Sequence, residues 1–243
     1  YDGGLLPTRD YARFKALLVT AEPPVPHYTL PPQADGRADH DLLGALNVRH
    51  LLTDGRNGAP GPDWIVRAEA PGAAWLYEHA DVAPRAFLVH EIEGQTDLDA
   101  ALRQLARLDL RRQALLDLPA AALPPVDPVD AGGPTRQARI VRYSAQEVEI
   151  ETEADGAALL VVTDSYYPGW RATIDGRPAP VLRANLLFRG IPLPAGAHRV
   201  RLWFDPLSVK LGFGLSVIAL GANLLGLLAT WPAIQPWVWR RGR

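Results

Sequence analysis

ARIVRYSAQEVEIETEADGAALLVVTDSYYPGWRATIDGRPAPVLRANLLFRGIPLPAGAHRVRLWFD, residues 138–205, is the stretch that decides the fold. It alternates apolar and polar residues in period two, and turn residues break the alternation. ARIVRY (138–143) and QEVEIET (146–152) read as strands. In the second, Val148 and Ile150 fall on one face, and Glu147, Glu149 and Glu151 on the other. AALLVVTD (157–164) opens as an unbroken apolar run, the pattern of a central strand buried on both sides. WRATID (170–175) leads into Asp175-Gly176, a strong signal for a tight hairpin whose turn needs positive φ. PVLRA, LFRGIPL and HRVRLWF complete the set, with Pro194-Ala195-Gly196 as the last turn. About seven short strands in so short a stretch predict a small antiparallel β-sandwich over 137–206.

The chain then changes character. Leu211 to Trp231, LGFGLSVIALGANLLGLLATW, carries no charge. A helix of that length spans roughly 30 Å, the thickness of a bilayer core. Gly212, Gly214, Gly221 and Gly226 would weaken a soluble helix but are common in membrane spans. A span over 207–231 is therefore expected, with a buried core helix as the alternative. Trp231, Trp237 and Trp239 suit an interfacial belt, and Arg240, Arg241 and Arg243 follow in a basic tail, 232–243. Four of the 25 Lys and Arg, and none of the 27 Asp and Glu, lie beyond residue 206. That leaves 1–206 six charges negative and the tail four positive. By the positive-inside rule the tail is expected in the cytoplasm and the rest of the chain outside it.

Within the sandwich stretch, Asp164-Ser165-Tyr166-Tyr167-Pro168-Gly169-Trp170-Arg171 puts three aromatics in a strand-to-strand connection. Flat rings beside polar groups are the chemistry of a sugar-binding surface: rings stack on C–H faces while polar groups bind hydroxyls. The candidate stacking residues are Tyr166, Tyr167 and Trp170, and the candidate polar contacts Asp164, Arg171, Arg183 and Asn185. The alternative is structural, with Trp170 and one Tyr packed on the core and Pro168-Gly169 making the bend.

The Tyr166 to Trp170 turn, Asp175-Gly176, Arg183-Ala184-Asn185 and Pro194-Ala195-Gly196, with a strand then running into an apolar helix, resemble the C-terminal signature of YfhO-family bacterial membrane proteins. Upstream, LLGALNVRHLLTD (42–54) is similar to that family's Leu-Asn-Val-Arg-Tyr-Leu-Leu segment, with His50 in place of Tyr. VAPRAFLVHEIE (82–93) is similar too. The resemblance implies a GT-C-type glycosyltransferase with many transmembrane helices, a lipid-linked sugar donor, and an envelope polymer or lipid as acceptor. The catalytic carboxylates it implies lie among the first helices of such proteins. Nothing in this chain corresponds to them, so no catalytic residue is assigned.

The first part of the chain is less regular. Residues 1–35 read as an irregular segment with a short helix at 8–19, where Tyr11, Phe14, Leu17 and Leu18 share a face. Five prolines between Pro23 and Pro32 then forbid regular structure. An α+β domain is expected over 36–118: a short helix in HDLLGALN, strands in VRHLLTD, WIVRAEA, AAWLYEH, RAFLVHEIE and LRRQALLDL, and a helix over 97–110 capped by Thr96 or Asp97. Residues 119–136, rich in Pro and Ala, read as a linker. The overall expectation is an α+β N-terminal region, a small antiparallel β-sandwich and one C-terminal transmembrane helix.

Composition excludes several classes. Cys is absent, which removes disulfides, thiolate metal sites and cysteine nucleophiles. A net charge of -2 leaves no basic field for nucleic acid. The six His residues lack metal-ligand spacing, and His40 between Asp39 and Asp41 has neighbours that point apart. His90 with Glu91 and Glu93 reads as a solvated strand face. Ala131-Gly132-Gly133 lacks the strand–helix context of a phosphate loop, and no cofactor is indicated. Met is absent and the chain starts at Tyr1, which reads as a processed chain or a piece of a longer one.

The function expected is the extracytoplasmic region and last helix of a YfhO-like envelope glycosyltransferase in a bacterial membrane. Its partners would be the bilayer, an upstream transmembrane bundle of the same protein, and envelope glycan or polyprenyl-linked sugar. The chain would support acceptor binding, not catalysis. The alternatives are a stand-alone anchored module that binds glycan or protein, and a sandwich that only stabilises a membrane bundle.

Overall fold

The computed structural model describes Gly44 and residues 47–53, 61–70, 74–105, 107–128 and 138–239. The helix expected over 8–19, the rest of 1–35, His40, most of the short helix at 40–47, residues 129–136 and the tail from Arg240 lie outside the described residues. The described chain up to Tyr167, with Arg171–Trp203, forms one compact unit, and Pro168–Trp170 with the chain from Phe204 forms a second.

Among the described residues the fold is mostly β, in three sheets, with a single C-terminal apolar helix. Strands β1 (His50–Thr53), β2 (Trp64–Ala70) and β3 (Ala74–His79) form a three-stranded sheet in the order β1-β3-β2. Next come β4 (Ala86–Val89), β5 (Glu91–Gly94), helix α1 (Leu98–Leu105) and β6 (Gln113–Leu116). The helix starts where the sequence predicts: the Asp97 carboxylate accepts from the Ala100 amide at 2.7 Å, the bond that an N-cap supplies. It ends earlier than expected, after eight residues.

Residues 138–204 supply eight strands: β7 (Ala138–Tyr143), β8 (Glu147–Ala154), β9 (Ala158–Val162), β10 (Trp170–Ile174), β11 (Arg177–Ala179), β12 (Leu182–Ala184), β13 (Phe188–Leu193) and β14 (Gly196–Phe204). Five of them make a sheet in the order β11-β10-β14-β8-β7. The other three join upstream strands in a six-stranded sheet, β4-β9-β13-β12-β6-β5. The fold is thus sandwich-like, but its second sheet draws β4, β5 and β6 from residues 86–116 and contains one parallel pair, β5 with β6.

The patterns explain the layers. β9 is buried at every position, because β4 and β13 flank it and both of its faces are covered. Leu88, Leu160, Ile191 and Leu193 lie on one face of the six-stranded sheet, fully or almost fully buried. In the five-stranded sheet, Val148, Ile150, Val200 and Leu202 share the buried face. The opposite face of β8 and β14 carries the ion pairs Arg199–Glu149 and Arg201–Glu147, each at 2.6 Å, with Arg139–Glu151 beside them. Such exposed pairs add little to stability, because water and salt screen them. Phe87, Val89, Leu116, Leu159, Val161 and Phe188 form a second cluster on the other face of the six-stranded sheet, and Leu118 and Leu123 pack against it. The Pro-rich stretch therefore begins as a strap: the Asp127 amide donates to Ala157 O, and the Ala157 amide donates to the Asp127 carboxylate.

The Asp175-Gly176 hairpin forms as expected, with Ile174 opposite Arg177 and both turn residues at positive φ, 50° and 79°. A Cβ on Gly176 would meet nothing, so only the dihedral opposes a side chain there. Gly176→Ala should cost about 1 kcal/mol in urea unfolding.

Helix α2 (Leu207–Trp239) has 33 residues. Its segment Leu207–Leu228 is long and apolar enough to cross a membrane, and none of it is buried in protein. A helix apolar all round and not covered by the rest of this chain fits a lipid surrounding better than the core of this fold. Two polar side chains in the apolar run are satisfied within the helix: Ser216 Oγ donates to Gly212 O at 2.9 Å and Asn223 Nδ2 to Ala219 O at 2.8 Å.

Candidate functional site

The aromatic connection between β9 and β10 starts from a fixed point. The Thr163 amide and hydroxyl both donate to Arg85 O, at 2.9 and 3.3 Å, which ties the end of β9 to the start of β4. Asp164 follows. Its Oδ1 accepts from Arg85 Nη1 and from the Tyr143 hydroxyl, each at 2.9 Å, while Oδ2 lies 3.6 Å from Arg189 Nη1. Arg85 also donates to the Tyr143 hydroxyl at 3.0 Å, and its guanidinium lies 5.2 Å from the Tyr143 ring centroid. These groups come from β7, the start of β4, the end of β9 and β13. They gather where β4 of one sheet runs near β7 of the other.

The electrostatics of this cluster are those of a lock. Burial pulls the Arg189 guanidinium down to about 10, against the pull of Asp164 and Tyr143, so it stays charged at neutral pH. Burial and then the Asp164 charge push the Tyr143 phenol up, which keeps its proton available for Asp164. Asp164 therefore holds the corner of the sandwich together.

Past Asp164 the connection is held by its backbone. Arg189 Nε donates to Ser165 O at 3.1 Å, and the Tyr166 amide donates to Leu187 O. The Tyr166 ring carries the Arg183 guanidinium 5.4 Å from its centroid. Arg183 Nε lies 3.7 Å from Asp117 Oδ2, and the Asp117 amide donates to Arg183 O. Tyr167 is 53% exposed. Tyr166, Tyr167, Arg183 and Asp117 thus offer rings and polar groups in one part of the first unit.

The other sequence-predicted residues lie elsewhere. Asn185 is fully buried: Oδ1 accepts from the Leu115 main-chain amide at 2.8 Å, and the Asn185 main-chain amide donates to Leu115 O at 2.7 Å. Its side chain imitates a strand backbone, extending the join of β12 to β6 one residue beyond the single pair Ala184 and Leu116. Its φ of 49° is a conformation that Asn tolerates better than most residues. Arg171 is exposed on β10. Trp170 belongs to the second unit, where its ring centroid lies 5.4 Å from that of Phe204.

Arg85, Tyr143 and Arg189 were not singled out from the sequence. Arg189 did leave a signal: in LFRGIPL it shares the face of Ile191 and Leu193, so a charge was due on the core side. Nothing local marked Arg85 or Tyr143. Among the described residues no group of three His, Asp or Glu is placed to hold a metal ion.

No curated protein and no solved structure matches the chain. The family comparison does find a match. It begins just ahead of β7, takes in β7 to β14 and all seven candidate residues, and ends in the first turns of α2. The similar segments at 42–54 and 82–93 fall outside it. Residues 133–216 match the family described as bacterial membrane protein YfhO, about a third of the chain's length.

Proposed function

We propose that the chain is the extracytoplasmic and membrane-anchor portion of a YfhO-like envelope glycosyltransferase that uses a lipid-linked sugar donor. In this reading the portion supports acceptor or glycan binding, and the chemistry belongs to an upstream transmembrane bundle. The observation that carries it is the family match over 133–216, continuous with an apolar helix that has no protein cover. The bulk of the chain lies outside the cytoplasm and the basic tail within it, following the positive-inside rule.

The glycan contacts in this proposal are Tyr166, Tyr167 and Arg183, with Asp117 added. The exposed Tyr167 ring supplies a stacking face, and the Arg183–Asp117 pair supplies a donor and an acceptor for hydroxyls. Arg171, exposed on the neighbouring strand, is an outer polar contact. Asp164 and Asn185 position the connection from inside the fold.

The test uses the full chain in lipid nanodiscs, titrated with bacterial envelope oligosaccharides and a polyprenyl-phosphate sugar. Tyr167→Ala should weaken binding about tenfold while the circular dichroism stays unchanged. Equal binding by Tyr167→Ala and Arg183→Ala would sink the glycan assignment. Immunoblotting of native membranes addresses the enzyme assignment separately. A polypeptide several times larger than 26.5 kDa is expected, and one near 26.5 kDa would leave the stand-alone anchored module.

A further inference from the structure

We propose that the Pro168-Gly169-Trp170 turn and Phe204 form a collar at the start of α2 that sits in the headgroup layer of a lipid bilayer. The proposal rests on the reading that α2 spans the membrane, and it assigns Trp170 to lipid instead of glycan. All of its parts belong to the second unit.

The turn is held against the helix start by its backbone. The Asp205 amide donates to Gly169 O at 2.8 Å. Gly169 has φ of 115°, and a Cβ there would come within 3.0 Å of Cα and Cβ of Pro206. Only glycine permits so close an approach. Trp170 then lies on Phe204, the rings inclined at 44°. Leu207, the first residue of α2, follows Pro206 directly, so two aromatic rings stand within about one turn of the helix start.

Helix length sets the depth. The uncharged run begins at Leu211, and 21 residues from there cover roughly 30 Å, the hydrocarbon thickness of a bilayer. The first four residues of α2, Leu207 to Lys210, rise about 6 Å, which matches one headgroup layer. Lys210 is the last charge before the apolar run, and its Nζ pairs with Asp205 Oδ1 at 2.6 Å. A zwitterionic pair and two aromatic rings at this level match the chemistry of the interface, where Trp is enriched because one end of its ring is apolar and the other polar.

The chain has no cysteine, so single labels are simple to place. Pro168→Cys, Leu220→Cys and Ala197→Cys, each in the full chain, carry a nitroxide in phosphatidylcholine–phosphatidylglycerol vesicles. Power saturation with oxygen and a nickel chelate reads their depth. Each variant must keep the circular dichroism of the parent, and Trp170→Cys replaces Pro168→Cys if that one does not. The expected result is a Leu220 label deep in hydrocarbon, an Ala197 label in water, and a Pro168 label at headgroup depth. A deep Leu220 label with a Pro168 label as accessible to nickel as that at Ala197 overturns the collar and leaves the span intact. A Leu220 label in water overturns the span, and the collar with it.

Discussion

Asp164→Ala should lower the unfolding free energy by about 3 kcal/mol, roughly 10 °C in melting temperature for a chain of this size. The substitution removes one carboxylate that serves three groups: Arg85, the Tyr143 hydroxyl and Arg189. Only one of these is deeply buried. The Arg189 side chain is 7% exposed, while that of Arg85 is 44% exposed and can turn to water. The loss therefore comes mainly from Arg189, a cation left in the protein interior without its compensating anion. Removing one partner of a buried pair costs about 3–5 kcal/mol, and the lower end applies because Asp164 itself keeps 12% of its side-chain surface in water. Removing both charges should be milder. Asp164→Ala combined with Arg189→Met should recover at least half of the loss, since the orphaned cation is gone. Chemical denaturation of the two single variants and the double variant measures this. A double variant no more stable than Asp164→Ala would mean that the hydrogen bonds to Arg85 and Tyr143, and not the buried cation, set the cost.

How much of this was legible depends on distance along the chain. Local signals read well. Asp175-Gly176 marked its hairpin because few other residue pairs adopt two positive φ values, and Asp97 marked the start of α1 because a helix needs an acceptor there. ALLVV marked a strand buried on both faces, and the uncharged run after Lys210 marked α2. Partner choice did not read. Nothing in AFLV (86–89) says that it pairs with ALLVV more than seventy residues later. Period-two alternation gives a strand its faces but not its neighbours, so the six-stranded sheet could not be assembled from pattern alone. The same limit blurred the candidate site. Asn185 reads as a surface polar group in a turn. Its burial depends on a main-chain gap beside Leu115, a residue seventy positions away, which its amide happens to fill. Trp170 reads as part of one aromatic run with Tyr166 and Tyr167, yet Phe204, far ahead in sequence, takes its ring into the other unit.

Gly94→Ala should destabilise the protein by about 2 kcal/mol, for a reason that sequence could not supply. Gly94 closes an ordinary-looking strand, and its φ is not positive, so the usual argument for glycine does not apply. Space is what requires it. A Cβ at Gly94 would lie 2.6 Å from Leu118 O, with Ala120 N and Leu123 Cδ2 each at 3.2 Å. The nearest atom is backbone, so no rotamer change relieves the contact, and overpacking of this kind costs about 1–3 kcal/mol. Two responses are open. If the strap yields, Leu118 and Leu123 lift from the cluster around Leu116, Leu159 and Phe188, and the amides of Asp127 and Ala157 exchange faster with solvent. If β5 yields, its parallel pairing with β6 loosens, and the Gln95 amide, which donates to Leu116 O, exchanges faster instead. The strap is the softer of the two, because its own regular structure is a single three-residue turn, Ala120–Ala122. Faster exchange at Asp127 and Ala157 with Gln95 unchanged is therefore the expected result. Unchanged stability and unchanged exchange at all three amides would mean that residues 117–123 do not lie against the sheet in solution. The segment would then be the free linker that its composition suggests.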